Sequence, residues 1–192
     1  WLFMCFAIAM SAQNLKFKDG NFKIIQFTDL HYKLGNPASR QATDCLYEIV
    51  KAEQPDLIVL TGDVIYSKPG DMCLQQILNI MSDLKVPFCY LLGNHDPEQG
   101  TPVSQLYDQA QQNTYCVQPK RNGNALDFAL PIKSSDGAKT AAVIYGMDTH
   151  EYCKMPGVGG YQWLTWNQIS RYRNWAASFK RENGGKPIPA LM

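Results

Sequence analysis

Between residues 16 and 92 the hydrophobic pattern switches repeatedly between a strand period and a helix period. KFKDGNFKIIQF, residues 16–27, reads as two short strands around an Asp19-Gly20-Asn21 turn. Over residues 41–53, Ala42, Cys45, Leu46, Ile49 and Val50 fall on one helical face. Pro55-Asp56 breaks that helix, and LIVLT, residues 57–61, is a continuously apolar strand. The helix period returns over residues 71–84 with Leu74, Ile77, Leu78, Met81 and Leu84 on one face. After Pro87, FCYLL at residues 88–92 is a third strand. A β-α-β-α-β order with apolar central runs predicts a parallel sheet covered on both faces.

Beyond residue 100 the pattern loosens. Residues 103–112 can form a helix, and ALDFALPI and TAAVIYGM read as two strands of an antiparallel hairpin joined by the turn-forming SSDGA. A Gly-rich stretch at 156–160 leads to a helix from about Thr165 to Arg181. On it Trp166, Ile169, Tyr172 or Arg173, Ala176 and Phe179 recur at helical spacing, which predicts a core-facing stripe. No internal repeat or linker is visible, so residues 13–192 are expected to form one domain.

The ends change the picture. Residues 1–10, WLFMCFAIAM, are apolar throughout but fall well short of the ~20 residues needed to span a bilayer. Small residues and then Gln13-Asn14 follow, as at the end of a secretory signal peptide. Residues 1–12 are therefore expected to be a signal remnant without its basic front, the alternative being a buried first strand or helix. That expectation implies a secreted or periplasmic protein with no stable membrane anchor. KPIPALM at the C-terminus resembles the opening of a strand, and the chain is expected to be a fragment at both ends.

Composition narrows the function classes. Of 192 residues, 45% are hydrophobic and 18% charged, which excludes a disordered tail or a coiled coil. Lys and Arg number 18 against 17 Asp and Glu, so no global field attracts nucleic acid or anionic lipid. The six cysteines contain no CxxC, which removes zinc-finger and thioredoxin readings. Cys45, Cys73 and Cys89 lie in apolar patterns and are expected to be buried. One disulfide stays possible in an oxidising compartment.

The chemistry gathers where the three parallel strands end. Polar words interrupt the sequence there: TDLH at 28–31, TGDV at 61–64 and GNHD at 93–96. Ligands bind at this edge of open α/β sheets. The words recur at about the length of one strand-helix-strand unit, roughly 30 residues, so three neighbouring strands deliver them to one rim. If the chain stays extended, Asp29 and His31 leave on one face and can hold one ion. Asp63 has two carboxylate oxygens, enough to bridge two ions, and Asn94 adds a neutral carbonyl oxygen. Mixed His, carboxylate and amide donors suit Mn, Fe or Zn better than Ca. Gly62 and Gly93 are expected to permit a sharp turn before each donor.

D-x-H, then G-D, then G-N-H-D resembles the calcineurin-like metallophosphoesterase family over about residues 22–192. The resemblance implies a four-layer α-β-β-α sandwich, incomplete at its C-terminus, with a dinuclear metal centre at the rim. It implies that Asp29 and His31 bind the first of two divalent or trivalent ions. Asp63 would bridge both and Asn94 would bind the second. His95 would face the substrate rather than a metal, as general acid or phosphate-oxygen stabiliser, with Asp96 orienting it. The family pattern ends with a further His and G-H-x-H. This chain has only three histidines, His31, His95 and His150, so those ligands are expected beyond residue 192. Tyr66 makes the second word G-D-x-x-Y, which resembles purple acid phosphatases. His31 is expected to take the ligand position there, leaving Tyr66 as a loop or pocket aromatic. His150, in GMDTHEY, is expected at the surface or lining the pocket rather than on a metal.

The resemblance implies hydrolysis of a phosphate ester by a metal-activated water. The alternatives are a phosphodiesterase or nucleotide hydrolase on the same site, or a non-catalytic binding protein of the same fold. A nucleic-acid partner is not favoured, because no basic stripe is present.

Overall fold

The computed structural model describes residues 15–121, 123 and 125–192. The signal expected at residues 1–12 lies outside the described residues. Two three-stranded sheets face each other. β1 (Ile24–Phe27), β2 (Leu57–Thr61) and β3 (Phe88–Leu91) form a parallel sheet in the order β1-β2-β3. β4 (Phe128–Lys133), β5 (Thr140–Gly146) and β6 (Ala190–Leu191) form the second sheet, with β4-β5 antiparallel and β5-β6 parallel.

Alternation along each strand builds two cores. Ile58 and Leu60 of β2 and Phe88 and Tyr90 of β3 point to the helices. There they meet Leu46 and Val50 of α1 (Pro37–Glu53), Leu74, Ile77 and Met81 of α2 (Gly70–Leu84), and Leu106 and Ala110 of α3 (Val103–Gln111). Leu57, Val59 and Cys89 point the other way, onto Phe128, Leu130 and Ile132 of β4 and Ile144 of β5. Period-two side chains thus feed a helical layer on one face and a second sheet on the other. α4 (Trp166–Glu182) covers the outer face of that second sheet, where Tyr145 meets Tyr172 edge-on at 4.9 Å and packs beside Trp175 and Phe179. The result is the α-β-β-α sandwich expected of a metallophosphatase.

Several expectations need correction. α1 starts at Pro37, four residues before the expected start at residue 41. Asn36 caps it by accepting the Ala38 N–H at 2.9 Å, and a proline at the first helical turn loses no bond. Residues 16–18 and 21 form bridges rather than a strand of their own, although the 19–20 turn is present, closed by Lys18–Asn21 backbone bonds. Cys45 is exposed, whereas Cys73 and Cys89 are buried, and all five described cysteines are free. The α4 stripe is only half covered. Trp166 is 81% exposed, and Gln168 is the residue of α4 that is buried. The strand expected to open in KPIPALM is present, as β6 beside β5.

Candidate metal centre

The three polar words meet because strand pairing continues past the strand ends. The Asp29 N–H donates to the Gly62 carbonyl at 3.1 Å, His31 N–H to the Asp63 carbonyl at 2.9 Å and Tyr32 N–H to the Val64 carbonyl at 2.9 Å. The loop after β1 therefore runs alongside the loop after β2, and their side chains converge. His31 Nε2 lies 3.6 Å from Asp29 Oδ1 and 3.9 Å from Asp63 Oδ2. Donor atoms of Asp29, His31 and Asp63 lie within 4.8 Å of one another. Two carboxylates and an imidazole so disposed fit a divalent transition ion.

The backbone is not extended there, as the spacing argument assumed. Asp29, His31 and Asp63 all have positive φ, at 54°, 43° and 50°. Left-handed geometry is uncommon for side-chain-bearing residues and costs of order 1–3 kcal/mol each. The donors thus come together through left-handed turns in the loops rather than through strand alternation. Of the two glycines, Gly62 does supply a turn, with φ 95°. Gly93 supplies room. A Cβ there would stand 2.2 Å from Asp63 Oδ1 and 2.4 Å from the Asp63 nitrogen.

Asp96 does not orient His95 as expected. It is fully buried and accepts four backbone N–H groups: Asp63 (3.0 Å) and Gly93 (2.7 Å) on Oδ2, Val64 and Ile65 (2.9 Å each) on Oδ1. Its carboxylate ties the β2 loop to the β3 loop. Burial pushes its carboxyl up to about 6, opposed by the Gly93 and Ile65 N–H donors. The carboxylate on the His95 ring is Glu98, whose Oε2 lies 2.8 Å from Nδ1. That hydrogen bond raises the imidazole and lowers the Glu98 carboxyl. Asp63 Oδ1 accepts the His95 backbone N–H at 2.9 Å.

The remaining candidates surround the donors. His31, Tyr66 and His95 form an aromatic cluster, with Tyr66 centred 4.7 Å from His31 and 4.9 Å from His95. Tyr66 therefore packs edge-on against both imidazoles beside the donors. Asn94 lines one cavity with Asp29 and Asp63, and its amide donates to the Tyr152 hydroxyl at 3.4 Å. His150 lines the same cavity, exposed, with Nδ1 3.3 Å from Asp148 Oδ2 and Nε2 3.1 Å from Gln168 Oε1.

Glu98 and Tyr152 were missed from sequence. Glu98 stands three residues after His95, a spacing that one helical turn makes adjacent. The turn of 3-10 helix at Asp96–Gln99 provides it, and Pro97 in its first turn was the available signal. Tyr152 arrives from a loop between β5 and α4, and no local pattern announces it.

Known proteins resemble this one across most of its length. A probable inactive purple acid phosphatase 29 from Arabidopsis thaliana is 28% identical over 95% of the chain and 55% of its own length. Phosphatase DCR2 from Saccharomyces cerevisiae is 25% identical over 88% of the chain and 34% of its own. The chain therefore spans about half the length, or less, of these curated relatives. A dimetal phosphatase from Danio rerio superposes with a TM-score of 0.56 at 12% identity, covering 88% of this chain and 68% of that one. The family model described as calcineurin-like phosphoesterase matches residues 22–188, a span that includes both sheets' long strands and all three converging loops. The chain belongs to the calcineurin-like phosphoesterase family.

Proposed function

We propose that the chain is the N-terminal part of a phosphohydrolase that cleaves phosphate esters with water at a dinuclear metal centre. The observation that carries this reading is the convergence of Asp29, His31 and Asp63, all in left-handed backbone, at the rim of the parallel sheet. Family membership supports the metal-dependent phosphoester chemistry. Two Mn, Fe or Zn ions would neutralise the phosphoryl oxygens and lower the pKa of a water. Asp29 and His31 would hold the first ion, Asp63 would serve both, and Asn94 would hold the second. Asp63 is aligned by the His95 N–H on Oδ1, which leaves Oδ2 towards His31. Glu98 holds His95 Nδ1, so Nε2 is the nitrogen left to protonate the departing oxygen. The second ion needs further donors, which this reading assigns to histidines C-terminal to residue 192. A secreted or periplasmic setting is part of the same proposal, resting on the apolar run at residues 1–10.

A second reading, a metal-binding but non-catalytic protein, is favoured by the word "inactive" in the names of plant relatives. Metal analysis beside p-nitrophenyl phosphate turnover of the full-length protein separates the two. Asp63→Asn is expected to lower the content of both ions. His95→Ala is expected to keep the metal and lower kcat by ~10²–10⁴. Full metal without turnover of this monoester or of bis(p-nitrophenyl) phosphate in the wild type would establish the second reading, and metal loss in the His95 variant would overturn the assigned role.

A further inference from the structure

The loop between β5 and α4 folds into a small flap. Cys153 N–H donates to the Gly160 carbonyl at 2.9 Å and Gln162 N–H to the Glu151 carbonyl at 3.0 Å, which pairs Tyr152 with Tyr161 across an antiparallel bridge. The two rings stack, 5.5 Å between centroids and 22° between planes. Tyr152 fixes the flap to the metal loop. Its hydroxyl donates to Glu98 Oε1 at 2.9 Å and accepts from the Asn94 amide. Tyr161 is 65% exposed, yet it lines the cavity of about 290 Å³ that Asp29, Asp63 and Asn94 also line. Gly159 and Gly160, which precede it, have open space around them.

A tyrosine this exposed contributes little to the packed core, so its ring is surface offered to the cavity. Its partner Tyr152 holds it in one orientation, so stacking on it requires little further ordering. A flat aromatic group stacked in offset on such a ring gains more than the area it buries provides, which an aliphatic group of similar bulk does not. The donor cluster accounts for the anionic end of a phosphate ester but not for its organic end.

We propose that Tyr161, backed by Tyr152, is a stacking subsite for a planar aromatic ring carried by the ester group of the substrate. The proposal rests on the reading of the donor cluster as a phosphate site. The ring could be a simple aryl group or a nucleobase, and the shared chemistry is a flat π-face within reach of a phosphoryl group.

The test measures binding, so it does not require turnover. Benzylphosphonate and cyclohexylmethylphosphonate have the same head group and similar bulk but differ in flatness. Neither has an ester oxygen to be cleaved. With the full-length protein loaded with Mn, calorimetry is expected to give benzylphosphonate a Kd about 5–10-fold lower. Tyr161→Ala should bring the ratio to about one while leaving cyclohexylmethylphosphonate unchanged, and Tyr161→Phe should retain the preference. The methylenephosphonate analogues of adenosine 5′-monophosphate and ribose 5-phosphate form a second pair. A Tyr161-dependent preference in that pair assigns a nucleobase, and one confined to the benzyl pair assigns an aryl ester. Equal affinities in the wild type, or a preference that survives Tyr161→Ala, would overturn the subsite. Preference without hydrolysis of any aryl or nucleoside phosphate ester would leave the subsite standing and remove the catalytic reading. Failure of every phosphonate to bind would overturn both.

Discussion

Asp96 and His95 are neighbours in sequence with unlike tasks. The Asp96 carboxylate holds four N–H groups from two loops in a site closed to water. An asparagine can accept with only one oxygen, and its amide would face two of those donors. It also escapes the cost of burying a charge, so the net loss for Asp96→Asn is about 1–3 kcal/mol. The melting temperature should fall by roughly 2–12 °C at this chain length. Glu98, exposed, should tolerate Gln with little change in melting. An unaltered melting temperature in D96N would remove the clamp from the account. The word GNHD identifies the site, yet it does not say which carboxylate serves the imidazole. Side-chain direction within the word is decided by the tight turn that follows. Asp96 points inward under that turn, and Glu98 comes round beside the ring.

The elements were largely legible because each of α1, α2 and β2 carries an uninterrupted period. Where an element packs against one layer only, the period says less. α4 carries aromatic residues at helical spacing, but it covers a single outer sheet face, so Trp166 remains exposed while Tyr172 and Phe179 meet Tyr145. Its anchor is polar. The Gln168 side chain donates to Asp127 Oδ1 at 2.9 Å and to the Asp148 carbonyl at 2.6 Å. Its Oε1 accepts the Thr165 N–H at 2.9 Å, completing a capping box. Gln168→Ala removes the cap and strands buried partners, a loss of about 1–3 kcal/mol. Denaturant unfolding is expected to show that loss, with faster amide exchange over residues 165–169. Exchange unchanged there would mean that α4 is held by its aromatic contacts instead. The T-x-x-Q signature of the capping box was present in the sequence, hidden beneath the more conspicuous aromatic pattern.

Across the whole molecule, the N-terminal turn is fastened to the parallel sheet by Asp56, just before β2. Burial alone would raise this carboxyl. The Lys18 Nζ at 2.6 Å and the Lys23 N–H at 2.8 Å outweigh burial and hold it below the usual carboxylate value. A lowered folded value means that the stabilisation is complete above the unfolded pKa, ~3.9, and lost as pH falls through the folded one. Asp56→Asn should therefore be less stable than wild type at pH 7, and the difference should shrink below about pH 4. Lys18 is largely exposed, so the difference should be under ~1 kcal/mol and narrow in high salt. Thermal unfolding at pH 7 and pH 3 measures it, and a difference that grows in acid would contradict the assignment. At this scale the sequence showed that three strand ends share a rim. It did not show that a flap from the second sheet's side reaches that rim, because Tyr152 and Asn94 are 58 residues apart and joined only through tertiary contact.

The left-handed backbone at Asp29, His31 and Asp63 has a consequence for how such a chain changes over generations. Glycine at Asp29 or His31 would relieve the strain there and, net of its own entropic cost, stabilise the metal-free protein by up to about 1 kcal/mol at each site. That same exchange deletes a donor. A lineage released from selection for metal binding would thus find a downhill path to glycine at these two positions. A lineage still under selection stays on the strained side of that slope. The identity of the residue at these two positions in related chains is accordingly a record of whether the centre is still in use, legible before any protein is purified.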